Sequence, residues 1–301
     1  MKKRHCIILT VCICLLLCGC SESQVNYSPD PEKTFTLYQL GNDDGLATNS
    51  SVNYIPNWKD MFQDDDTSPE SSIQVLFNGT VYEGEWRRSS YTQGNNYRTD
   101  YYKYDNGTFG IDSRTKEMVE IVFFYDDISS TISIAEAENI ARSVAEQYID
   151  TSYYDLVVDD NTNLEYNSAA FPDYIFTWDR WINRVKCWDN LRVVITTDGR
   201  VQLFCQYMTS EFQEFVSHSK EEDLNEIVEE LNSKTVREMI ENTIKMNCRY
   251  PDQLGSIDIQ DPLLVLLPGD QLGAIYTVFS YYGNNIIQNR HTFLVMQEVL
   301  P

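Results

Sequence analysis

The sequence predicts an α+β fold in which antiparallel β-sheets are each packed by a helix, arranged as two successive helix-and-strand units after an N-terminal β-rich segment. Two runs of strand-forming residues flank Asp198-Gly199, which is the strongest short signal for a β-hairpin. The order of helix followed by strands recurs between residues 219 and 299, which indicates a degenerate duplication. A helix precedes the hairpin, because apolar residues recur there at helical spacing: Ile134, Ala137, Ile140, Ala141, Val144, Ala145 and Tyr148.

Composition and charge limit the function before any motif is considered. The chain has 301 residues, enough for about two domains. It carries 46 acidic against 23 basic residues, a net charge of −23. Nucleic acid is therefore excluded as a partner, because phosphate binding needs a basic surface. The acidic excess indicates a soluble acidic body, and cation binding or a cationic partner is the alternative.

The N-terminus has the pattern of a secretory signal. Basic residues open the chain, and the apolar run from Ile7 to Leu17 is too short to span a bilayer as a mature helix. The run ends in Leu17-Cys18-Gly19-Cys20, which resembles the bacterial lipobox. Cys18 departs from the small residue usual at its place. A plain cleaved signal or a short anchor is the alternative interpretation.

The lipobox resemblance implies a lipoprotein. Residues 1–19 would be the signal peptide, and Cys20 would carry a diacylglycerol that anchors the chain to the extracytoplasmic face of the cell membrane. Acyl chains provide stable anchoring without a basic patch, at about 0.8 kcal/mol per buried methylene. Residues 20–70 are then a tether and a poorly defined segment.

Residues 71–128 form the predicted β-rich segment. Glycine or Asn-Gly separates several short runs that are typical of strands. Five short strands in succession predict a meander with one packed face. The predicted strands are Ile73–Phe77, Val81–Arg87, Tyr97–Tyr104, Gly107–Asp112 and Met118–Tyr125.

The first helix-and-strand unit is assigned to residues 129–210. Ser133 and Glu136 form a predicted capping box at the start of its helix. Residues 151–170 are polar and are predicted to be irregular. If Asp198-Gly199 is a two-residue loop, Cys205 pairs across from Arg192.

The second, degenerate unit is assigned to residues 211–301. Ser219 and Glu222 predict another capping box, and Asn232-Ser233 predicts a break between two helical runs. Strands are expected at 263–267, 274–282 and 292–299.

The chemistry-bearing residues offer little support for catalysis. The histidines are His5, His218 and His291, and the last two read as surface or capping residues. No zinc, nucleophile-elbow or phosphate-loop motif is present, so we predict a non-enzyme without metal or cofactor. Cys187, Cys205 and Cys248 are most simply small core residues, since an odd number gives no disulfide framework.

One aromatic cluster is a candidate ligand site. Trp178, Trp181 and Trp188 lie close in sequence with Arg180 among them. Such rings could form a platform for a sugar or peptide, with Arg180 for a carboxylate. The alternative is that these large rings fill the space between sheet and helix.

The order of capping box, alanine-rich helix, irregular loop, aromatic strand and hairpin resembles the PepSY domain of Firmicute-type cell-surface lipoproteins. The residues that carry the resemblance are Ser133-Ile-Ala-Glu-Ala-Glu-Asn-Ile-Ala, Tyr174-Ile-Phe-Thr-Trp-Asp-Arg and Leu191-Arg-Val-Val-Ile-Thr-Thr-Asp-Gly-Arg-Val. The resemblance implies that two strands pack on the helix and that peptidases are inhibited or modulated. It carries over no catalytic residue.

Three functions follow in order of preference. The first is a non-catalytic binding or regulatory lipoprotein, anchored through its lipid, with a protein partner such as a peptidase. The second is a surface protein that binds carbohydrate or peptidoglycan. The third is a hydrolase using paired carboxylates, for which 46 acidic residues make any chosen pair uninformative.

Overall fold

A computed structural model describes residues 35–40, 53–55, 68–91, 98–127, 130–162, 172–207, 209–267, 269–283 and 287–297. The predicted signal peptide and Cys20 lie outside these ranges. Four helices are described, α1 Ile134–Ala145, α2 Thr209–His218, α3 Glu221–Leu231 and α4 Lys234–Asn247. The strands are β1 Phe35–Leu40, β2 Asn53–Ile55, β3 Ser72–Phe77, β4 Thr80–Tyr91, β5 Arg98–Tyr104, β6 Gly107–Asp112, β7 Met118–Phe123, β8 Asp155–Asp160, β9 Asp173–Ile182, β10 Val185–Thr196, β11 Val201–Tyr207, β12 Leu254–Ile259, β13 Leu263–Leu267, β14 Gln271–Tyr282 and β15 Ile287–Gln297.

The described strands join into one sheet, whereas separate sheets were predicted. Its order is β2-β1-β15-β14-β13-β10-β11-β7-β6-β5-β4-β3, with β9 and β8 continuing from β10 and β12 beside β14. The length of β10 explains the difference. Its start pairs in parallel with β13 through Lys186 and Cys187, while its later residues pair with β11. The coarse prediction of a mixed α+β fold is confirmed, as a mostly sheet structure with few helices.

The N-terminal meander forms as the sequence predicted. Strands β3 to β7 pair antiparallel in chain order, and β7 then pairs with β11. The last predicted strand ends at Phe123, two residues before the expected Tyr125.

Helix α1 begins at the predicted capping box. The Glu136 amide donates to Ser133 Oγ at 3.3 Å, and the Ser133 amide donates to Glu136 Oε2 at 2.8 Å. Ala137, Ala141, Val144 and Ala145 are buried, where the helix packs across β9 and β10. The expected stripe is wrong at its first residue, because the Ile134 side chain is 38% exposed at the helix start.

The predicted hairpin is present with a different loop. Thr197, Asp198 and Gly199 form a three-residue loop closed by a 2.9 Å hydrogen bond from the Thr196 amide to the Arg200 carbonyl. Gly199 has φ of +87°, which a glycine adopts without a steric penalty. Beyond the loop, Gln202 of β11 is an extra residue that forms a β-bulge. The bulge compensates for the longer loop, so Arg192 still pairs with Cys205 as predicted.

Residues 151–170 were predicted to be irregular, and this is wrong for part of the segment. Residues 155–160 form β8, which pairs with β9 over six consecutive positions. The Asp-rich composition concealed this strand, because Asp is disfavoured in strands by propensity alone.

The second unit begins differently from the prediction. Residues 209–218 form α2, and Ser219 donates its hydroxyl to the Phe215 carbonyl at 2.7 Å instead of capping α3. Helix α3 follows Lys220 and has no side-chain cap. The predicted break at Asn232-Ser233 is confirmed, since Ser233 caps α4.

Two large cores lie between the helices and the sheet, and a smaller third cluster comprises Val265, Leu267, Ile275 and Leu294. The first core lies between α1 and the strands it packs on, and centres on Phe77, Phe109, Ala141, Val144, Phe176, Trp178 and Phe204. The second core lies between α2–α4 and the C-terminal strands, and centres on Phe212, Val228, Leu231, Ile240, Ile244, Tyr276 and Phe293. Both exclude water from apolar surface, the main favourable contribution to folding. In the described part of the chain, no helix is long and apolar enough to cross a membrane.

Candidate functional site

The structure separates the residues of the predicted aromatic platform. Trp178 is fully buried in the first core, whereas Trp181 is 46% exposed. Three positions apart on β9, these two side chains point to opposite faces of the strand. Trp188 is partly buried against the second core. These rings therefore do not form one common surface.

Arg180 is engaged inside the protein. Its Nε donates to Asp189 Oδ2, and a terminal nitrogen donates to the Tyr154 hydroxyl at 2.8 Å. Tyr154 in turn donates to Asp189 Oδ2 at 2.9 Å, and all three residues are buried. Burial and the neighbouring Asp189 charge raise the pKa of Tyr154 above its ordinary value. The guanidinium is thus neutralised internally and is not placed to receive an external carboxylate.

A bulge places Asp189 in this network. Residues 187–189 of β10 lie opposite the single residue Arg180 of β9, between the pairs of Trp181 with Lys186 and Asp179 with Asn190. Extra residues of this kind locally redirect side chains. No sequence periodicity signals such a bulge.

The two histidines in the described part of the chain, His218 and His291, show no accessible catalytic arrangement. His218 ends α2, with Nδ1 2.9 Å from the Glu214 carbonyl. His291 was expected at the surface or at a cap, which is wrong: it is fully buried, with Nε2 2.6 Å from Ser280 Oγ. Ser280 is equally buried, so a substrate cannot reach the pair. Across the described ranges, no three or more His, Cys, Asp or Glu side chains are grouped to hold a metal ion.

A polar row crosses the sheet face opposite the first core. Successive strand pairings place Arg88, Tyr101, Gly110, Glu120 and Cys205 in register. The Arg88 guanidinium lies 4.9 Å from the centre of the Tyr101 ring. Burial raises the pKa of Glu120, and burial and Glu120 raise the pKa of Tyr101 to about 12. The row is a set of cross-strand neighbours on a sheet face.

The candidate site is an open aromatic concavity of about 1350 Å³ at one end of the meander. We use the term aromatic concavity for this cavity, whose lining comes from β3, β4, β5, β7 and the turns beside them. Its aromatic and apolar lining residues are Val81, Tyr82, Tyr104, Phe123, Phe124 and Tyr125, and its charged lining residues are Glu83, Glu85, Arg87, Lys103, Asp105, Asp126, Asp127 and Arg200.

The rings of the aromatic concavity touch one another. Tyr82 lies 5.2 Å from Tyr104 and 5.5 Å from Phe123 between ring centres, and Phe123 lies 6.3 Å from Tyr125. These are separations at which aromatic pairs attract. Burial raises the pKa of Tyr104 and of Tyr125, so both rings remain neutral near pH 7.

Gly107 makes room for this arrangement. It pairs with Tyr104 on one side and Phe123 on the other, so these rings flank a position that has no side chain. A Cβ atom at Gly107 would lie 2.4 Å from the Tyr104 hydroxyl and 1.9 Å from the Val122 carbonyl. Any larger residue would therefore require both the Val122 backbone and the Tyr104 ring to move. The strand prediction located these residues on β-strands but could not show that their rings meet.

Cations in the concavity are largely committed to partners within the protein. Arg87 pairs with Glu85 at 3.1 Å, and Arg200 pairs with Asp198 at 2.6 Å. The Arg200 guanidinium also lies 4.0 Å from the centre of the Tyr125 ring. Five carboxylates line the concavity against three basic groups, which leaves an acidic excess around neutral rings.

Comparison with known proteins adds little to this description. No protein-family model matches the chain, and no curated protein matches it. Among solved structures, the chain matches the Bacillus megaterium YpeB C-terminal domain at 14% sequence identity, over 73% of this chain and 81% of that one, with a TM-score of 0.28. A similarity this low carries no argument about the fold or the function.

Proposed function

We propose that this protein is a membrane-anchored extracytoplasmic lipoprotein that acts as a non-catalytic binding or regulatory module for a protein partner, with a peptidase as the leading class. The observation that carries the proposal is the aromatic concavity. Its volume of about 1350 Å³ exceeds the roughly 300–1000 Å³ typical of small-molecule pockets. Phe124 at this site is 58% exposed, as expected of an anchor residue for a partner.

The proposal includes a PepSY-like origin for the two helix-and-strand units. Helix α1 is followed by the antiparallel strands β9, β10 and β11. Helix α4 is followed by β12 and β13, which pair end to end along β14, and then by β15. This shared order supports a degenerate tandem, with the unit boundaries near residues 129 and 211.

The binding proposal is tested with full-length protein in intact cells. Chemical cross-linking followed by mass spectrometry compares the wild type with Phe124→Asp and with the matched control Tyr153→Asp. Tyr153 is 68% exposed and does not line the concavity. We expect a cross-linked partner that is lost in Phe124→Asp and retained in Tyr153→Asp. Equal partner recovery from both variants contradicts the proposal.

The anchor is tested separately by metabolic labelling with a palmitate analogue. We expect labelled wild-type protein in the membrane fraction and no label on Cys20→Ala, because the sequence around Cys20 resembles a lipobox. Equal label on both proteins would show that the anchor is absent or attached elsewhere.

Glycan binding is the second candidate function. Contacting aromatic rings in an open, polar-rimmed concavity also suit the apolar faces of sugars. Calorimetric titration with soluble peptidoglycan fragments tests it. Heat of binding that is lost in Phe124→Asp would favour this function over a protein partner.

A further inference from the structure

We propose that the aromatic concavity binds an extended polypeptide segment rich in lysine or arginine. This inference rests on the proposed function and names the chemistry of the partner. It is argued from the charge of the lining, from the aromatic rings, and from the exclusion of other occupants.

The lining charge favours a cationic occupant. Glu83, Glu85, Asp105, Asp126 and Asp127 supply five carboxylates. Of the three basic lining residues, Arg87 pairs with Glu85, one of these five, and Arg200 pairs with Asp198, which is outside the lining. A concave surface with an excess of negative charge concentrates cations, and the net charge of −23 adds attraction at longer range.

The rings provide a second attraction for the same ligand. Lysine and arginine side chains bind over the faces of aromatic rings within about 6 Å of the ring centre. The protein uses this geometry here, since Arg200 lies 4.0 Å from the Tyr125 ring centre. The aliphatic stems of lysine and arginine also cover apolar surface such as that of Phe124.

Charge argues against other large occupants. A second copy of the chain carries the same acidic excess, and anionic lipid or nucleic acid would be repelled as well. A lone small cation would leave most of the 1350 Å³ unfilled. An extended cationic segment satisfies both the charge and the size of the site.

The test is calorimetric titration of the full-length protein in detergent micelles. The probes are oligolysine, oligoarginine and oligoglutamate peptides of about nine residues, roughly 30 Å long when extended. We expect at least one cationic peptide to bind, with affinity falling at raised ionic strength, and no binding of oligoglutamate. The preferred cationic peptide identifies the side chain that is recognised.

Two variants with the same charge change locate the binding. Asp126→Asn/Asp127→Asn alters exposed residues that line the concavity, while Asp159→Asn/Asp160→Asn alters exposed residues of β8 that do not. We expect the first variant to weaken binding by about fivefold, from two surface charge pairs, and the second to leave it nearly unchanged. Phe124→Leu, which keeps an apolar side chain but removes the ring, should weaken binding by about threefold.

Each other outcome overturns the inference. No binding of either cationic peptide refutes it, and so does equal weakening by the two double variants, which would indicate unspecific attraction. If either occurs while cross-linking of the partner still depends on Phe124, this inference fails and the proposed function stands. If cross-linking is independent of Phe124, the proposed function fails whether or not the peptides bind.

Discussion

The two large cores are covered by different numbers of helices and filled by different kinds of side chain. In the first core a single 12-residue helix faces the strands, and large rings such as Phe109, Phe176 and Trp178 fill much of the space. In the second core three helices cover the C-terminal strands, and aliphatic side chains from α3 and α4 contribute much of the packing. The aromatic concavity lies beside the first core, because Tyr82, Tyr104 and Phe123 of its lining pack against that core. Under the proposed function, the binding surface therefore belongs to the first core.

The largest expected effect comes from a charge placed in either core. Val144→Asp and Ile240→Asp should each lower the free energy of unfolding by about 4 kcal/mol or more, because each buries an unpaired carboxylate. Both parent residues are almost fully buried. Since β10 contributes Val185 to the second core and Leu191 to the first, we expect one shared unfolding transition in denaturant.

Ile134→Asp is the matched control for the first core, because Ile134 lies on the same helix but is 38% exposed. It should change stability by less than about 1 kcal/mol. Two separate transitions in Val144→Asp would show that the cores fold independently. An unchanged midpoint would show that the buried face of α1 is wrongly assigned.

A smaller loss is expected where strands β9 and β10 are joined by the buried ion pair of Arg180 with Asp189. Arg180→Met should cost about 3–5 kcal/mol, because Asp189 would remain charged and buried without its partner. The double variant Arg180→Met/Asp189→Leu should recover most of that loss. Thermal unfolding of the three proteins measures both effects. If the double variant is as unstable as Arg180→Met, the loss of stability comes from removing the ion pair itself. It then does not come from leaving the buried Asp189 charge without Arg180.

The smallest expected effect compares the starts of helices α1 and α3. Ser133→Ala should cost about 1 kcal/mol, since it removes a capping box. Ser219→Ala should cost less than that, because its hydroxyl donates to the Phe215 carbonyl and does not cap α3. Chemical denaturation distinguishes these outcomes, with Ser233→Ala as a second true cap for reference. If Ser133→Ala and Ser219→Ala lower the free energy of unfolding equally, the two serines do not differ in their capping role.

Local patterns predicted the elements well where one signal dominated. The N-cap of α1 and the pairing of Arg192 with Cys205 follow from short-range chemistry, and both are observed. Strand β8 was missed because its Asp-rich composition opposes its conformation, and pairing with β9 outweighs that propensity.

The candidate site was much less accessible to prediction. Spacing in sequence grouped Trp178, Trp181 and Arg180, but strand alternation and the bulge at residues 187–189 send them to different environments. The concavity instead assembles Tyr82, Tyr104 and Phe123 from three strands. Their contact depends on the pairing and register of separate strands, which have no short-range signature.

The sequence by itself determined the acidic charge, the N-terminal signal pattern, the α+β class and the positions of most strands, because composition, periodicity and turn residues act locally. Only the tertiary structure decided that one sheet joins the described strands, that Arg180 is neutralised inside, and that four aromatic rings share a surface. These features depend on strand pairing and register between residues that are far apart in the chain. Local chemistry alone does not specify such relations.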